Sequence, residues 1–491
     1  MADRPLDAAG TWIQANIFGR HGFNIFSLTS FIEWWGGLGV SRGLVLWILY
    51  VGMFWILSLQ IPHLFFFTLQ WLVGLSPIWL PLGLAYAAES AWVWYIQAFY
   101  LAGRDGILLE VKIPRDIFKS PRAMELALIP MNLSSGETTA INRAWQGGVR
   151  PFWSFELASF GGDVHFYIWT WRSFKPLVES SIYAYYPEVE MVEVEDYATK
   201  FQFDPSKHDC YITEWRRETF MTWPPDSPRA NGEWGLNAYP ILTYVDFELD
   251  KDPKEEFKVD PLAEPLEFMS SLRPEDEMWA QIVIREAGYP STHVFSGLGY
   301  VSDKKKWLAT METEVSRIRL ASGTLTAQEK TMVTEDQIRI LRPRGTWRMT
   351  RQLENMERNM GKYVYEVGIR GWIVSTKEVT SHHYNGMRWM WRPMGNPNYS
   401  THLRPRRWHP PFDYPWQDYK NIRWNVAAKR FLDAYRRRLF FHSPWRTYES
   451  PMIMTNEEIA TLWHPVSRSV EVPGLERIPA KKAEPPSNLP K

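Results

Sequence analysis

A single cysteine, Cys210, occurs in a chain of 491 residues. An intrachain disulfide framework is thereby excluded, as is a multi-cysteine zinc or iron–sulfur centre, and a reducing compartment is the simplest setting. Net charge is lacking too. The 55 Lys and Arg balance 55 Asp and Glu, so no global basic surface favours bulk binding of nucleic acid or anionic lipid. The 11 histidines form no HExxH pair, and His382 and His383 are adjacent, so they do not share a helical face. No GxxxxGK[ST] loop is present, which removes a P-loop nucleotide site, and no GxSxG elbow is present. Gly297-Leu298-Gly299 is half of a dinucleotide fingerprint without a βαβ setting, and reads as a turn. These gaps leave no catalytic residue, cofactor site or metal site to assign. A non-enzymatic protein is the expectation.

Long hydrophobic runs, by contrast, are there. Residues 43–75 carry no Lys, Arg, Asp or Glu, and residues 78–102 carry only Glu89. A membrane-spanning helix needs about 20 mostly apolar residues. Ser76-Pro77 supplies turn chemistry between the runs, and Pro62 marks a kink or exit in the first. Both runs together predict a transmembrane helical hairpin over 43–103, with a buried hairpin of core helices as the bland alternative. The first run starts too far into the chain for a cleavable signal peptide. Arg20 and Arg42 precede the hairpin, and Arg104, Lys112, Arg115 and Lys119 follow it. The excess of cations at both ends places them in the cytoplasm. Residues 1–42 are expected to lie along the interface. The 27 tryptophans suit a protein with wet–apolar boundaries, because indole is mostly apolar but carries one donor.

Beyond the hairpin the pattern predicts an α+β fold. Over 104–200 it reads as strand 107–113, helix from Ser120-Pro121, strand 152–160, Gly161-Gly162-Asp163 turn, strand 164–171, helix, and strand 188–194. This β-α-β-β-α-β order is ferredoxin-like. A linker, 201–238, follows. A second ferredoxin-like unit is expected over 239–416, with strands at 241–249, 278–285 and 363–374 and a long helical insertion at 288–361. Residues 417–470 supply a basic helix and a strand–helix pair, where Thr455 and Glu458 form a capping box. Residues 471–491 form an extended, Pro/Lys-rich tail.

One cluster stands out as a candidate contact site. Lys420, Arg423, Lys429, Arg430, Arg436, Arg437 and Arg438 alternate with Trp424, Phe431, Tyr435 and Phe440 on the helix expected over 419–441. Aromatic rings among cations can stack bases and pair phosphates. The same pattern can lie on a lipid surface or a protein partner. The bland alternative is a helix packed by its aromatics with a solvated charged face. The carboxylates Glu188, Glu190, Glu193, Glu195 and Asp196 read in the same spirit as a solvated strand face.

Several stretches resemble a known family. They are LLEVKIPRD with SPRAME, FELASFGGDVHFYIW, VESSIYAYYPEVEMVEVEDY, the long segment beginning YPILTYVDFELDKD, FDYPWQDYKN, MTNEEIATLWH and AEPPSNLP. Together they are similar, over roughly 75–491, to a bacterial membrane-anchored family of unknown function. Its members are found upstream of, or fused to, motor ATPases like those of type IV secretion and conjugation. The resemblance implies a membrane-anchored scaffold at the cytoplasmic face that positions a separate motor ATPase, and it transfers no catalytic residues. The chain ends at Lys491, where the fused form would continue into the ATPase. The implied partners are that ATPase and the membrane, with self-association open and nucleic acid disfavoured. Two other readings remain at this point: a membrane-bound enzyme without a recognisable motif, and a membrane-linked nucleic-acid adaptor.

Overall fold

The computed structural model describes residues 42–135, 139–219, 232–251, 259–288, 302–321, 346–408, 416–442 and 451–479. The elements run α1 (Arg42–Gln60), α2 (Pro62–Gly74), α3 (Ser76–Ala102), β1 (Gly106–Lys112), α4 (Arg122–Leu128), α5 (Ala140–Ala144), β2 (Phe152–Phe160), β3 (Asp163–Trp171) and α6 (Lys175–Tyr185). Next come β4 (Glu190–Val194), α7 (Tyr197–Lys200), β5 (Asp209–Glu218), α8 (Gly232–Asn237), α9 (Ala263–Ser270), β6 (Asp276–Glu286) and α10 (Asp303–Ala321). The chain then continues through α11 (Trp347–Met360), β7 (Val364–Ser375), α12 (Ser381–Trp389), β8 (His402–Arg406), α13 (Ile422–Arg436), β9 (Met452–Thr455) and α14 (Asn456–Leu462). The interfacial segment expected over 1–42, all but its last residue, lies outside the described residues, as do residues 480–491 of the tail.

Two units divide the chain. One comprises Met1–Ala87 with His409–Val426, the other Ala88–Trp408 with Ala427–Lys491. In the first, the charge-free run is not one helix. It breaks at Ile61, where Pro62 has no N–H to continue the α1 ladder. A second break falls at Leu75, before Ser76-Pro77. No single described helix is long and apolar enough to cross a membrane; the bent pair Phe66–Gly74 and Ser76–Ala102 meets that criterion only together, across a 63° bend. The hairpin of two spanning helices expected over 43–103 is corrected accordingly. The reason is local: proline divides the first run, while Glu89 and several Trp and Tyr lower the hydropathy of the second.

The second unit is built on a nine-stranded sheet with the order β4-β1-β3-β2-β6-β7-β5-β8, and β9 pairs with β7 beside that path. Every pairing is antiparallel. This overturns the expectation of separate ferredoxin-like units: β2 and β6 pair from Phe152↔Arg285 to Phe160↔Glu277, so the halves share one continuous sheet. Two boundaries also move. Residues 241–249 form turns rather than a strand, because Asp246 accepts from the Thr243 backbone N–H at 2.9 Å and the Tyr244 N–H is taken by Thr461. The strand in that half is β5, inside the segment expected to be linker. The insertion after β6 begins as helix already at Asp303, and 322–345 lies outside the described residues.

Strand alternation sends Leu109, Phe155, Leu157, Phe166, Ile168, Ile282 and Ile369 into one core, closed by Met124 and Leu128 of α4, Val178 and Ile182 of α6, Leu266 of α9 and Ile459 of α14. Full burial of each such side chain contributes about 1.5–3 kcal/mol. A smaller core joins Trp307, Met311 and Val315 of α10 to Met349, Leu353 and Met356 of α11.

Strand β7 acts as a splint. Along one edge it pairs with β6; along the other it pairs with β5 through Ile369–Ser375 and with β9 through Val364–Val367. On the opposite face from the main core Gly368 lets an aromatic ring lie on the backbone: a Cβ there would come within 2.3 Å of the Phe440 ring. Overpacking a buried site costs about 1–3 kcal/mol. Gly368→Ala is therefore expected to lower unfolding stability by that amount, read by chemical denaturation with tryptophan fluorescence. An unchanged midpoint would show that the ring does not rest there.

Candidate functional site

The basic aromatic cluster folds as expected in part, and its members separate by environment. Asp418 caps the start of α13: its carboxylate accepts the Arg423 and Trp424 backbone N–H groups, each at 2.8 Å. Lys420 and Arg423 are exposed, Lys420 lying 5.3 Å from the Tyr419 ring and Arg423 donating to the Gln417 carbonyl. Trp424 is half-buried, and Lys429 and Arg430 are exposed. The last turn behaves differently. Arg436 is half-buried and donates to the carbonyls of Ala198 and Phe201. Burial lowers its pKa. Arg437 points outward beside Asp433 at 3.0 Å. Tyr435 and Arg438 are fully buried. The helix is thus neither a uniformly basic surface nor a uniformly solvated one.

What Tyr435 and Arg438 meet is a polar row that crosses the sheet. Val192, Glu110, Tyr167, Glu156, Gln281, Arg370, Glu214 and Arg406 stand opposite one another on successive strands from β4 to β8. Directly opposed residues share a face, so this face carries polar groups through its middle. Aromatic rings flank them, with Trp279 and Trp372 stacked at 6.2 Å and Phe431 on Trp372 at 6.0 Å.

Glu156 is the hub. Ser154, Gln281 and Tyr197 donate to it at 2.6, 3.0 and 2.7 Å, and Arg438 donates at 3.0 and 3.1 Å. Arg438 also pairs with Asp196. Burial opposes the charge on Arg438, but Glu156 and Asp196 outweigh it and raise the pKa. Its backbone sits at φ +53, a left-handed position after the helix end that glycine normally takes, and the ion pairs hold it there. The phenols of Tyr197 and Tyr435 meet at 2.9 Å, and burial raises the pKa of both. Arg370 is the least satisfied member. It donates Nη2 to the Leu439 carbonyl at 2.7 Å, while its Nε and Nη1 find no acceptor among the described residues. Burial pulls its pKa down to about 10.

A second buried ionic group lies toward the β6–β7 ends. Arg285 grips Glu366 at 2.6 and 2.9 Å, and Arg150 reaches it at 3.2 Å. Burial pushes the Glu366 pKa up, yet the two guanidiniums win and lower it. On α12, His383 Nε2 meets Asp276 at 2.9 Å while its Nδ1 faces the exposed Thr380 hydroxyl at 2.8 Å. This resembles a hydroxyl–imidazole–carboxylate relay. However, Nδ1 also accepts the Thr380 backbone N–H at 3.0 Å, so the set closes a capping box. Among the described residues no group of three or more His, Cys, Asp or Glu could hold a metal ion.

A further feature is a cleft at the end of α3. Its walls include Leu101 and Arg104 at the α3 end, Phe152, Trp169 and Trp171 of β2 and β3, and Arg437 with Leu439 after α13. Several contacts fix α3 in place. Trp92 Nε1 donates to the Ala144 carbonyl at 2.7 Å, and Gly147, at φ +65, lets its loop approach the Ile96 carbonyl where a Cβ would come within 2.3 Å. Gly106 likewise leaves room for the Trp169 ring, which a Cβ would approach to 2.4 Å. No protein-family model, curated protein or solved structure matches this chain.

Of the residues singled out by sequence, the structure thus brings Tyr435, Arg436 and Arg438 together around Asp196–Phe201 and gives Arg437 to the cleft. It leaves Lys420, Arg423, Lys429 and Arg430 at the surface and Trp424 half-buried, and it buries Phe431 and Phe440. Sequence reasoning missed Glu156, Arg370, Arg104 and the two Trp of β3. A charged residue in the centre of an otherwise apolar strand, as in FWSFELASF, was the available signal for Glu156.

Removing one partner of a buried ion pair costs about 3–5 kcal/mol. Arg438→Met is expected to lose that much, and Arg438→Met with Glu156→Gln to lose less, measured by denaturant unfolding. Glu366 adds a pH dependence. Because its folded pKa lies below its ordinary value of 4.5, its contribution is complete above about 4.5 and is lost as pH falls through the folded value. Glu366→Gln is expected to be destabilised at neutral pH, with the gap to the parent closing in acid. A gap independent of pH would rule out the ionised form as the stabilising one.

Proposed function

We propose that this chain is a non-enzymatic, membrane-associated docking component, held at the cytoplasmic face of a bacterial membrane by its apolar helices. The observation that carries the reading is the apolar surface of α1–α3. Trp55 is 66 % exposed, Leu82 69 % and Phe99 71 %, within helices where such side chains recur turn after turn. Soluble proteins rarely present apolar patches beyond a few hundred Å² to water, and larger ones mark contact with lipid or protein. The cations that follow α3, from Arg104 to Lys119, support a cytoplasmic position for the sheet unit.

The resemblance described above supports the finer reading: the sheet unit offers its surface to a separate motor ATPase of a type IV secretion-like or conjugation-like apparatus. Homo-oligomerisation would suit such a platform. The basic surface of α13 is a contact surface on this reading rather than a nucleic-acid site.

The test joins two measurements. The full chain should float with neutral phosphatidylcholine vesicles in a density gradient. In-cell crosslinking should join residues 104–479 to a P-loop ATPase after detergent extraction and mass spectrometry. A chain that stays at the bottom of the gradient would remove the membrane reading. ATP hydrolysis by the purified chain alone would remove the docking one.

A further inference from the structure

The cleft at the end of α3 combines features that neither the fold nor the docking role requires. Its two guanidiniums differ from the buried ones in reaching the surface: Arg104, which donates to the Tyr100 hydroxyl, and Arg437 are both exposed. Arg104 has no carboxylate partner among the described residues; its guanidinium carbon lies 4.2 Å from the Tyr100 ring centroid and 5.5 Å from that of Trp171. The neighbouring carboxylate, Asp105, is engaged by Arg172 at 2.5 Å, and Arg172 also holds Glu193 at 3.0 Å. Arg437, just past the end of α13, has Asp433 as its one ion-pair partner among the described residues and is 58 % exposed. Arg438, behind Trp169, is neutralised by Glu156 and Asp196.

Apart from these two cations the residues lining the cleft are apolar. Trp169 stacks on Phe152 at 5.5 Å, and Trp171 meets the same ring edge-on at 5.5 Å. Toward α3 the wall is Ala98, Leu101 and Ala102. Trp94 and Tyr95 precede Ala98 by four and three positions, so the wall continues along the same helical face as an exposed apolar stripe. The cleft holds about 200 Å³. That is less than the ~300–1,000 Å³ of a site for a drug-sized ligand.

We propose that this cleft binds the phosphate of an anionic glycerophospholipid, with Arg104 and Arg437 on the phosphate and the acyl chains along Trp94 and Tyr95 of α3. Guanidinium pairs with phosphate oxygens through its planar fork of donors. Indole rings favour the headgroup level, where one side is wet and the other apolar. An amphiphile matches a site that sets two exposed cations among apolar walls continuous with an apolar helical stripe. A soluble phosphate compound would use only the cations. The inference rests on the bilayer attachment proposed above and adds lipid selectivity to it.

The test uses the full chain in detergent, titrated with phosphatidylglycerol, phosphatidylcholine or glycerol phosphate and read by native mass spectrometry. Phosphatidylglycerol adducts should exceed phosphatidylcholine adducts, and Arg104→Gln or Arg437→Gln should each lower them about 5-fold, the worth of one cation near an anionic surface. Arg104→Lys should keep most of the effect. Asp433→Asn, which frees Arg437, should strengthen retention, so a gain of binding is tested as well as a loss. Equal retention of both lipids, or glutamine variants that bind phosphatidylglycerol as the parent does, would overturn the proposal. Glycerol phosphate bound as tightly as the lipid, with the same arginine dependence, would reassign the cleft to a soluble phosphate. Flotation of the glutamine variants on neutral vesicles separates the two levels: floating variants without lipid preference sink this inference alone, whereas a parent that does not float sinks the membrane reading.

Discussion

The pairing of β2 with β6 is the constraint on which the rest of the second unit depends. Each half of the sheet pairs its strands in the same order counted from its outer edge, β4-β1-β3-β2 on one side and β8-β5-β7-β6 on the other. The seam joins the fourth and innermost strand of each half to its counterpart. It also sets the register of the polar row, because Glu156 faces Gln281 across it. A slip by one residue would turn Glu156 toward the apolar core and Phe155 toward Arg438. The buried ion pair penalises that slip strongly, so a costly polar group serves as a marker of register.

The covering elements follow from this division of faces. One face is apolar and takes α4, α6, α9 and α14. The other keeps charge through its middle, so whatever closes it must bring both rings and counter-charges. The end of α13 does so with Phe431, Tyr435 and Arg438, and the segment after β4 does so with Asp196, Tyr197 and Phe201. Buried ion pairs of this kind add little net stability over apolar packing, but losing half of one is expensive. The arrangement therefore favours a single placement of α13 more than it favours a tighter fold.

Much of the local structure was legible in the sequence and its assembly was not. FWSFELASF and VHFYIWTW carry β-branched and aromatic residues around a Gly-Gly-Asp turn, and they form β2 and β3 where the pattern puts them. DCYITEWRRE hid β5, since its charged residues include Arg217, buried against Glu458 at 2.8 Å, a pairing 241 residues distant in sequence. ILTYVDFEL misled for the opposite reason: its apolar residues alternate, but Thr243 and Asp246 close a turn and the backbone finds partners on α14. Period and propensity report on neighbours along the chain. Which edge meets which, and which arginine finds a distant carboxylate, depend on contacts the local pattern does not contain. The same holds for the cleft, whose walls come from three separated stretches around residues 98–104, 152–171 and 437–439.

The sheet's two outermost strands have a further consequence. Both β4 and β8 are five residues long, among the shortest of the sheet, and Pro405 of β8 has no N–H to offer an incoming chain. Glu190 and Glu193 stud one rim; Arg404 and Arg406, each held by Glu218, stud the other. Brevity, proline and charge together blunt a surface that would otherwise template further strands. A platform eight strands wide can then accumulate beside many copies of itself without zipping into a ribbon.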